Sequence, residues 1–154
     1  MAQTNARPAD ADDEPLTDEL LERLLASRSP EAYLSGTVTL DTTLTDYLKR
    51  LLDEHHLTRA QVIRASGLNS TFCYQVFQGT RHPGRDNAIM LSFGLGCTLR
   101  ETQRLLRHAG VSELWCKKRR DAIIIFCVEH GMTRERCDDK LYELGEETLL
   151  AAGE

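Results

Sequence analysis

The sequence predicts an all-α fold. Proline stands only at positions 8, 15, 30 and 83, so long stretches of the chain can form uninterrupted helices. The alternation of apolar and polar residues that is typical of a strand is confined to residues 36–44. Most other segments repeat apolar residues at helical spacing and follow a residue that caps helices well. At 154 residues the chain is long enough for one compact domain with a real core.

The first 41 residues are predicted to comprise a disordered start and a helical extension. Residues 1–16 are polar and acidic, which favours disorder. Thr17 can cap the helix that follows. The leucines of that helix share one face: Leu20, Leu21, Leu24 and Leu25. Ser29 followed by Pro30 predicts a second short helical turn, so residues 17–41 are interpreted as an N-terminal helical extension.

Residues 42–110 carry the clearest helix signals. An apolar stripe predicts the first helix of this region: Leu44, Tyr47, Leu48, Leu51 and Leu52. Thr58 and Gln61 form a T-x-x-Q capping box that opens a second helix, and Gly67 ends it.

A third helix follows after a short turn. Asn69 can cap a helix that runs to about residue 78, and Gly79 closes it. Two helices joined by a turn of three to four residues that contains glycine form a helix-turn-helix. The third helix has two contrasting faces, because one side carries hydrogen-bonding residues without charge and the other is apolar. The apolar residues fall within about 140° of arc: Phe72, Cys73, Val76 and Phe77.

Two further helices complete this region. One begins at Arg85, after a loop fixed by Pro83. The other opens with a capping box formed by Thr98 and Glu101 and ends at Gly110.

Residues 111–154 are predicted to form a C-terminal helical extension. Residues 121–130 make a helix that is apolar nearly all round, so we expect it to be buried on several sides. Gly131 breaks this helix, and an amphipathic helix follows that ends at Gly145. The pair either completes the fold as a helical hairpin or forms a dimer interface. Dimerisation through the flanking helices is the favoured interpretation, and the same helices can also bind another protein.

The charge of the chain is divided into three parts. The net charge of −5 is the sum of −6 over residues 1–41, +7 over residues 42–120 and −6 over residues 121–154. A basic centre between acidic flanks is typical of a nucleic-acid-binding core with other functions at its ends. The alternative is ordinary variation of charge over helix surfaces. The basic run at 117–120 is equally open to two interpretations, a phosphate-binding cluster or an exposed interhelical loop.

The cysteines do not predict disulfides or a metal site. Their number, five, is odd and they lack C-x-x-C spacing, so we expect reduced thiols. Cys127, His130 and Cys137 can be considered as a metal cluster, but their spacing matches no common zinc site and a fourth ligand is not evident. Small apolar residues on helices are the preferred interpretation, and neither a metal nor another cofactor is expected.

Targeting signals are also not evident in the sequence. The first 15 residues lack an apolar h-region, and the longest apolar run, residues 122–128, is far shorter than the roughly 20 residues that span a bilayer. We therefore expect a cytoplasmic protein without membrane association.

The segment from Leu44 to about Leu106 resembles the Xre family of phage Cro and repressor type. The resemblance rests on Val62, Gly67, the polar run from position 69 to 71, Val76, Gly79, the "TRHP" loop and the later "LGCTLRETQRLL". It covers about 40% of the chain and implies a five-helix DNA-binding domain, with flanking helices like those of a small bacterial subgroup. The sequence departs from the family pattern at Ile63 and Phe77, where alanine and glutamate are usual.

The resemblance implies which residues read DNA. In repressors of this type the N-terminal half of the third helix enters the major groove, and the matching positions are Ser70, Thr71 and Gln75, with Tyr74 beside them. Gln75 can pair with adenine N6 and N7, and hydroxyl groups can reach a base edge or a phosphate. Tyr74 can contact the DNA backbone or a thymine methyl group.

Basic residues around this helix are expected to supply affinity. Arg59 matches a family position that contacts phosphate, and Arg81, His82 and Arg85 follow the recognition helix. We therefore expect a homodimer on double-stranded DNA that acts as a sequence-specific transcriptional regulator, since family members commonly read paired half-sites.

The sequence also bears on two other classes of function, an enzyme and a protein-interaction adaptor. An enzyme is not expected, because the sequence contains no P-loop and no Ser, His and acidic set on a recognisable elbow. The stronger alternative is a protein-interaction adaptor or antagonist that keeps the helix-turn-helix shape without reading DNA.

Overall fold

The computed structural model describes residues 17–36 and 43–150, and all regular structure within them is helical. The all-α class predicted from the sequence is confirmed for this part of the chain. The helices are α1 (Thr17–Ala26), α2 (Pro30–Gly36), α3 (Leu44–Glu54), α4 (Arg59–Ser66), α5 (Ser70–Gln78), α6 (Arg85–Gly94), α7 (Leu99–His108), α8 (Arg119–Glu129) and α9 (Arg134–Glu143). The predicted disordered start and most of the strand-like segment lie outside the described residues.

The chain divides into two compact units, residues 1–41 and residues 42–154. Residues 111–150 belong to the same unit as α4 and α5. In the first unit the Ser29 hydroxyl accepts a hydrogen bond from the backbone N–H of Ala32 at 3.1 Å, which caps α2 as predicted. The leucines of α1 and α2 present an exposed apolar surface: Leu21, Leu24, Leu25 and Leu34.

The core of the second unit is built around α6. The five residues from position 88 to 92 are all buried. Five successive buried residues point in all directions around a helix, so α6 must be enclosed by other helices. Apolar side chains of the surrounding helices pack with them, the largest being Leu48, Leu51, Phe77, Leu105, Leu106, Ile124 and Leu141. Gly94 at the end of α6 lies so close to α4 that an added Cβ would be 2.6 Å from the backbone oxygen of Val62. The missing side chain therefore sets the distance between these two helices.

Helix α8 is covered over most of its circumference, as predicted, but it leaves one strip exposed. Ile123, Ile125 and Val128 are partly buried against the core. Ile124 and Cys127 are fully buried, but Phe126 retains 52% of its surface exposed. Four successive apolar residues point around the whole helix at about 100° per residue, so one of them, Phe126, falls on the strip that the rest of this unit leaves uncovered. Asp86 of α6 accepts hydrogen bonds from Arg120 at 2.9 and 3.1 Å, which attaches the start of α8 to the core.

Within the described residues, none of the helices combines the length and apolar character needed to cross a membrane.

Candidate nucleic-acid interface

Helices α4 and α5 form the predicted helix-turn-helix. The capping box at Thr58 and Gln61 is present, and Gly67 adopts a left-handed conformation with φ 78° that reverses the chain after α4. The hydroxyl of Ser66 donates to the Ile63 carbonyl at 2.9 Å and accepts from the backbone N–H of Leu68 at 3.2 Å. These local contacts satisfy polar groups of the partly buried turn and so define its geometry.

Helix α5 has the two faces predicted from its sequence. The side chain of Asn69 caps it by accepting from the backbone N–H of Phe72 at 3.1 Å, and Gly79 ends it with φ 84°. Cys73, Val76 and Phe77 are buried, whereas Phe72 is partly buried. Burial in the core raises the pKa of the Cys73 thiol to about 11, so this cysteine is an apolar core residue and not a nucleophile.

The predicted base-reading residues lie together on the outer face of α5. Ser70, Thr71 and Tyr74 are exposed, and Gln75 is half-buried beside them. Gln78, which the prediction omitted, is exposed on the same face. It lies one turn after Tyr74, toward the C-terminal end of α5.

Two of the predicted phosphate contacts are held next to α5 by aromatic rings. The guanidinium carbon of Arg59 lies 5.8 Å from the centre of the Phe77 ring, and that of Arg81 lies 5.4 Å from the centre of the Phe72 ring. Such contacts attract a cation to the ring face and restrict a long side chain that would otherwise sample many conformations. Both positive charges are thereby placed at the edges of the polar face. His82 is also exposed, in the loop after α5.

Arg85 has another role than the predicted phosphate contact. Its guanidinium makes hydrogen bonds of 3.0 and 2.7 Å with the two carboxylate oxygens of Asp121 and donates to the carbonyl groups of Ser112 and Glu113. Burial alone would raise the pKa of Asp121, but hydrogen bonds from Arg85 and from the backbone N–H of Trp115 lower it below its usual value. Arg85 joins α6 to the loop before α8, and it is left out of the candidate interface.

A residue from the C-terminal helix supports the turn of the helix-turn-helix. A Cβ on Gly67 would lie 2.9 Å from both Nε and Nη2 of Arg134, so the guanidinium occupies the space that glycine leaves. Asp138 accepts from Arg134 at 2.7 Å and from the backbone N–H of Leu149 at 2.6 Å. Arg134 could not be identified from the sequence, because nothing in the local pattern of α9 distinguishes an arginine that packs against a residue 67 positions away.

The cysteines and histidines do not assemble into a metal site in the part of the chain that the structure describes. Cys127 and Cys137, considered above as ligands with His130, are both buried in the core. His130 instead stacks on Phe126, with ring centres 3.8 Å apart.

Comparison with models of protein families, with curated proteins and with solved structures gives no match to this chain.

Proposed function

We propose that this protein is a sequence-specific DNA-binding regulator that inserts α5 into the major groove, with α3 to α7 forming a five-helix domain of Cro and repressor type. The observation that carries this proposal is the exposed, uncharged polar face of α5 between two arginines fixed at its edges. Hydrogen bonds and apolar contacts to base edges read the sequence, and positive charge at the flanking phosphates positions the protein on the duplex.

The side chains of α5 have complementary tasks in this proposal. The amide of Gln75 pairs with N6 and N7 of an adenine, which discriminates that base by about 1–3 kcal/mol. Ser70 and Thr71, in the first turn of the helix, contact a base edge or a phosphate. Tyr74 uses its ring or hydroxyl group on a thymine methyl or the backbone.

Arg59 and Arg81 contact phosphates on either side of the groove. Because their guanidinium groups already lie against Phe77 and Phe72, less conformational freedom is lost on binding. Neutralising phosphates releases counterions, so binding weakens steeply as salt rises. His82, exposed in the loop after α5, is a third contact.

Selection of bound duplexes from a random pool, followed by titration of variants at fixed salt, tests this proposal. Gln75→Ala should weaken binding to the selected site by about 1–3 kcal/mol and relax the preference at one base position. The thermal stability should change by less than about 0.5 kcal/mol, since Gln75 is outside the core.

Gln78→Ala is the matched control. It removes the same amide group one turn nearer the C-terminal end of α5, away from the half of the helix that enters the groove, so the base preference should persist. Failure to enrich any sequence, or a Gln75→Ala variant with the affinity and preference of the parent, would refute base reading by this residue.

A protein-interaction adaptor is the second candidate. It is favoured by exposed apolar side chains on α8 and α9, namely Phe126 and Tyr142, which a protein partner can cover. An absence of DNA enrichment, together with silent variants at Ser70 and Thr71, would make this the better proposal.

A further inference from the structure

Helix α8 presents a face that is only partly covered by its own unit. Phe126, 52% exposed, lies at the centre of this face. Arg119, Ala122 and Glu129 lie with it within about 80° of arc, at about 100° per residue. Arg119 also contacts Glu146 and the Leu144 carbonyl, yet its side chain stays 62% exposed. The exposed phenylalanine thus lies in the middle of the helix, with a cation toward one end of the face and an anion toward the other.

A shallow apolar cleft adjoins this face. It has a volume of about 390 Å³ and runs between α8 and α9. Its lining includes Ala122, Ile123, Phe126 and Leu144. Ala122 contributes only a methyl group, so the cleft is open where a large side chain from another molecule can enter. The Phe126 ring is held in place by its stacking on His130, at an interplanar angle of 21°.

We propose that a second copy of this chain occupies this face, with the two α8 helices antiparallel about a twofold axis near residue 124. In that register Phe126 of each copy lies over Ala122 of the other, at the opening of the cleft. Arg119 and Glu129 are ten residues apart, about 15 Å along the helix, and the same register brings each Arg119 opposite the other copy's Glu129.

The surface is complementary to itself, which is the reason to infer a second copy. A twofold interface needs each feature and its complement on the same patch. Here the projecting ring, the small residue, the cation and the anion all lie on one helix face and are spaced symmetrically about its middle. An antiparallel arrangement also sets the positive end of each helix dipole beside the negative end of its neighbour.

The dimer is independent of DNA reading, although it gives the proposed regulator the two copies that paired half-sites require. A protein that dimerises through α8 but selects no sequence would overturn the proposed function alone. A monomer that binds a single half-site would overturn only the dimer.

Sedimentation velocity of the full chain over a concentration series, without DNA, tests the inference. The parent should form a dimer, and Phe126→Ser should raise its Kd at least about tenfold because it removes two central anchors. Tyr142→Ser is the matched control: it removes a ring that is 79% exposed on α9 but outside the paired face, and its Kd should stay within about threefold of the parent's.

Reversing the charges of Arg119 and Glu129 tests the register of the two α8 helices. Arg119→Glu and Glu129→Arg should each raise the Kd at least about tenfold, because each sets like charges opposite each other twice in the dimer. The double variant should bind more tightly than either single variant, because both pairs are re-formed with exchanged signs, and it should stay weaker than the parent because the contact of Arg119 with Glu146 is lost. A parent that stays monomeric, a dimer insensitive to Phe126→Ser, or a double variant as weak as the single ones would overturn the proposal.

Discussion

Replacing Gly94 by alanine changes the packing of α6 against α4 by a single methyl group. In the structure that methyl carbon would lie 2.6 Å from the backbone oxygen of Val62 and 3.0 Å from Cβ of Ser66. Val62 and Ser66 are fully buried, and the nearest obstacle is backbone, so no side-chain rotation can relieve the contact. The two helices must separate by roughly 0.5–1 Å, which forfeits part of the van der Waals attraction along their contact.

Two opposing effects determine the size of the change. Alanine within a helix is more favourable than glycine by about 1 kcal/mol. Overpacking a tight core typically costs about 1–3 kcal/mol, and this contact belongs at the upper end because it involves the backbone. The packing effect therefore wins, and we expect a net loss of about 1–2 kcal/mol in the free energy of unfolding. Affinity for the selected DNA should fall as well, since a displaced α4 carries the turn and α5 with it.

Urea unfolding at fixed pH measures this loss as a lower midpoint with an unchanged slope. Gly84→Ala is the control, because a Cβ there has no atom within 4 Å and the backbone φ is −70°. That variant should lose less than the Gly94 variant, about 0.5 kcal/mol, because Gly84 is the N-cap of α6 and alanine is a poorer N-cap than glycine. A Gly94→Ala protein as stable as the parent, or more stable, would refute the argument that this glycine sets the helix spacing.

Two further substitutions test the core and the buried ion pair. Cys73→Asp should lower stability by several kcal/mol, because it buries an unpaired carboxylate, whereas Cys116→Asp at an exposed site should change little in the same melt. Asp121→Asn should cost about 3 kcal/mol at neutral pH, because it leaves Arg85 without its partner, and exposed Asp139→Asn is the control. Since the folded-state pKa of Asp121 is lowered, its contribution is full above the unfolded value near 4 and is lost as pH falls through the folded pKa. Unfolding midpoints measured from pH 6 to pH 2 should thus decline more in the parent than in Asp121→Asn, and parallel declines would contradict this role.

The helix boundaries within residues 42–110 could be predicted because the signals that set them are local. A capping box such as Thr58 with Gln61 places its hydrogen bonds within one turn, and a glycine such as Gly67 ends a helix through its own backbone conformation. The apolar face of α5 could also be predicted, because the spacing of its apolar residues along the helix is enough to assign the buried side chains.

The roles of several side chains could not be predicted because they depend on distant partners. Arg85 follows α5 and was predicted to contact phosphate, but its carboxylate partner lies 36 positions away in sequence. The exposure of Phe126 was missed for a related reason: periodicity counts apolar residues but not the neighbours available to cover them. Base contacts by Gln75 stay a prediction.

The contact between Arg134 and Gly67 has a consequence for the order in which the protein is made. Arg134 is synthesised 67 residues after the turn that it supports, which takes about 3–13 s at typical rates of translation. During that time α4 and α5 leave the ribosome without the side chain that fills the space beside Gly67. The turn therefore reaches its final packing only after α9 has emerged. A nascent chain that is interrupted before that point contains α5, but the turn between α4 and α5 lacks the contact with Arg134.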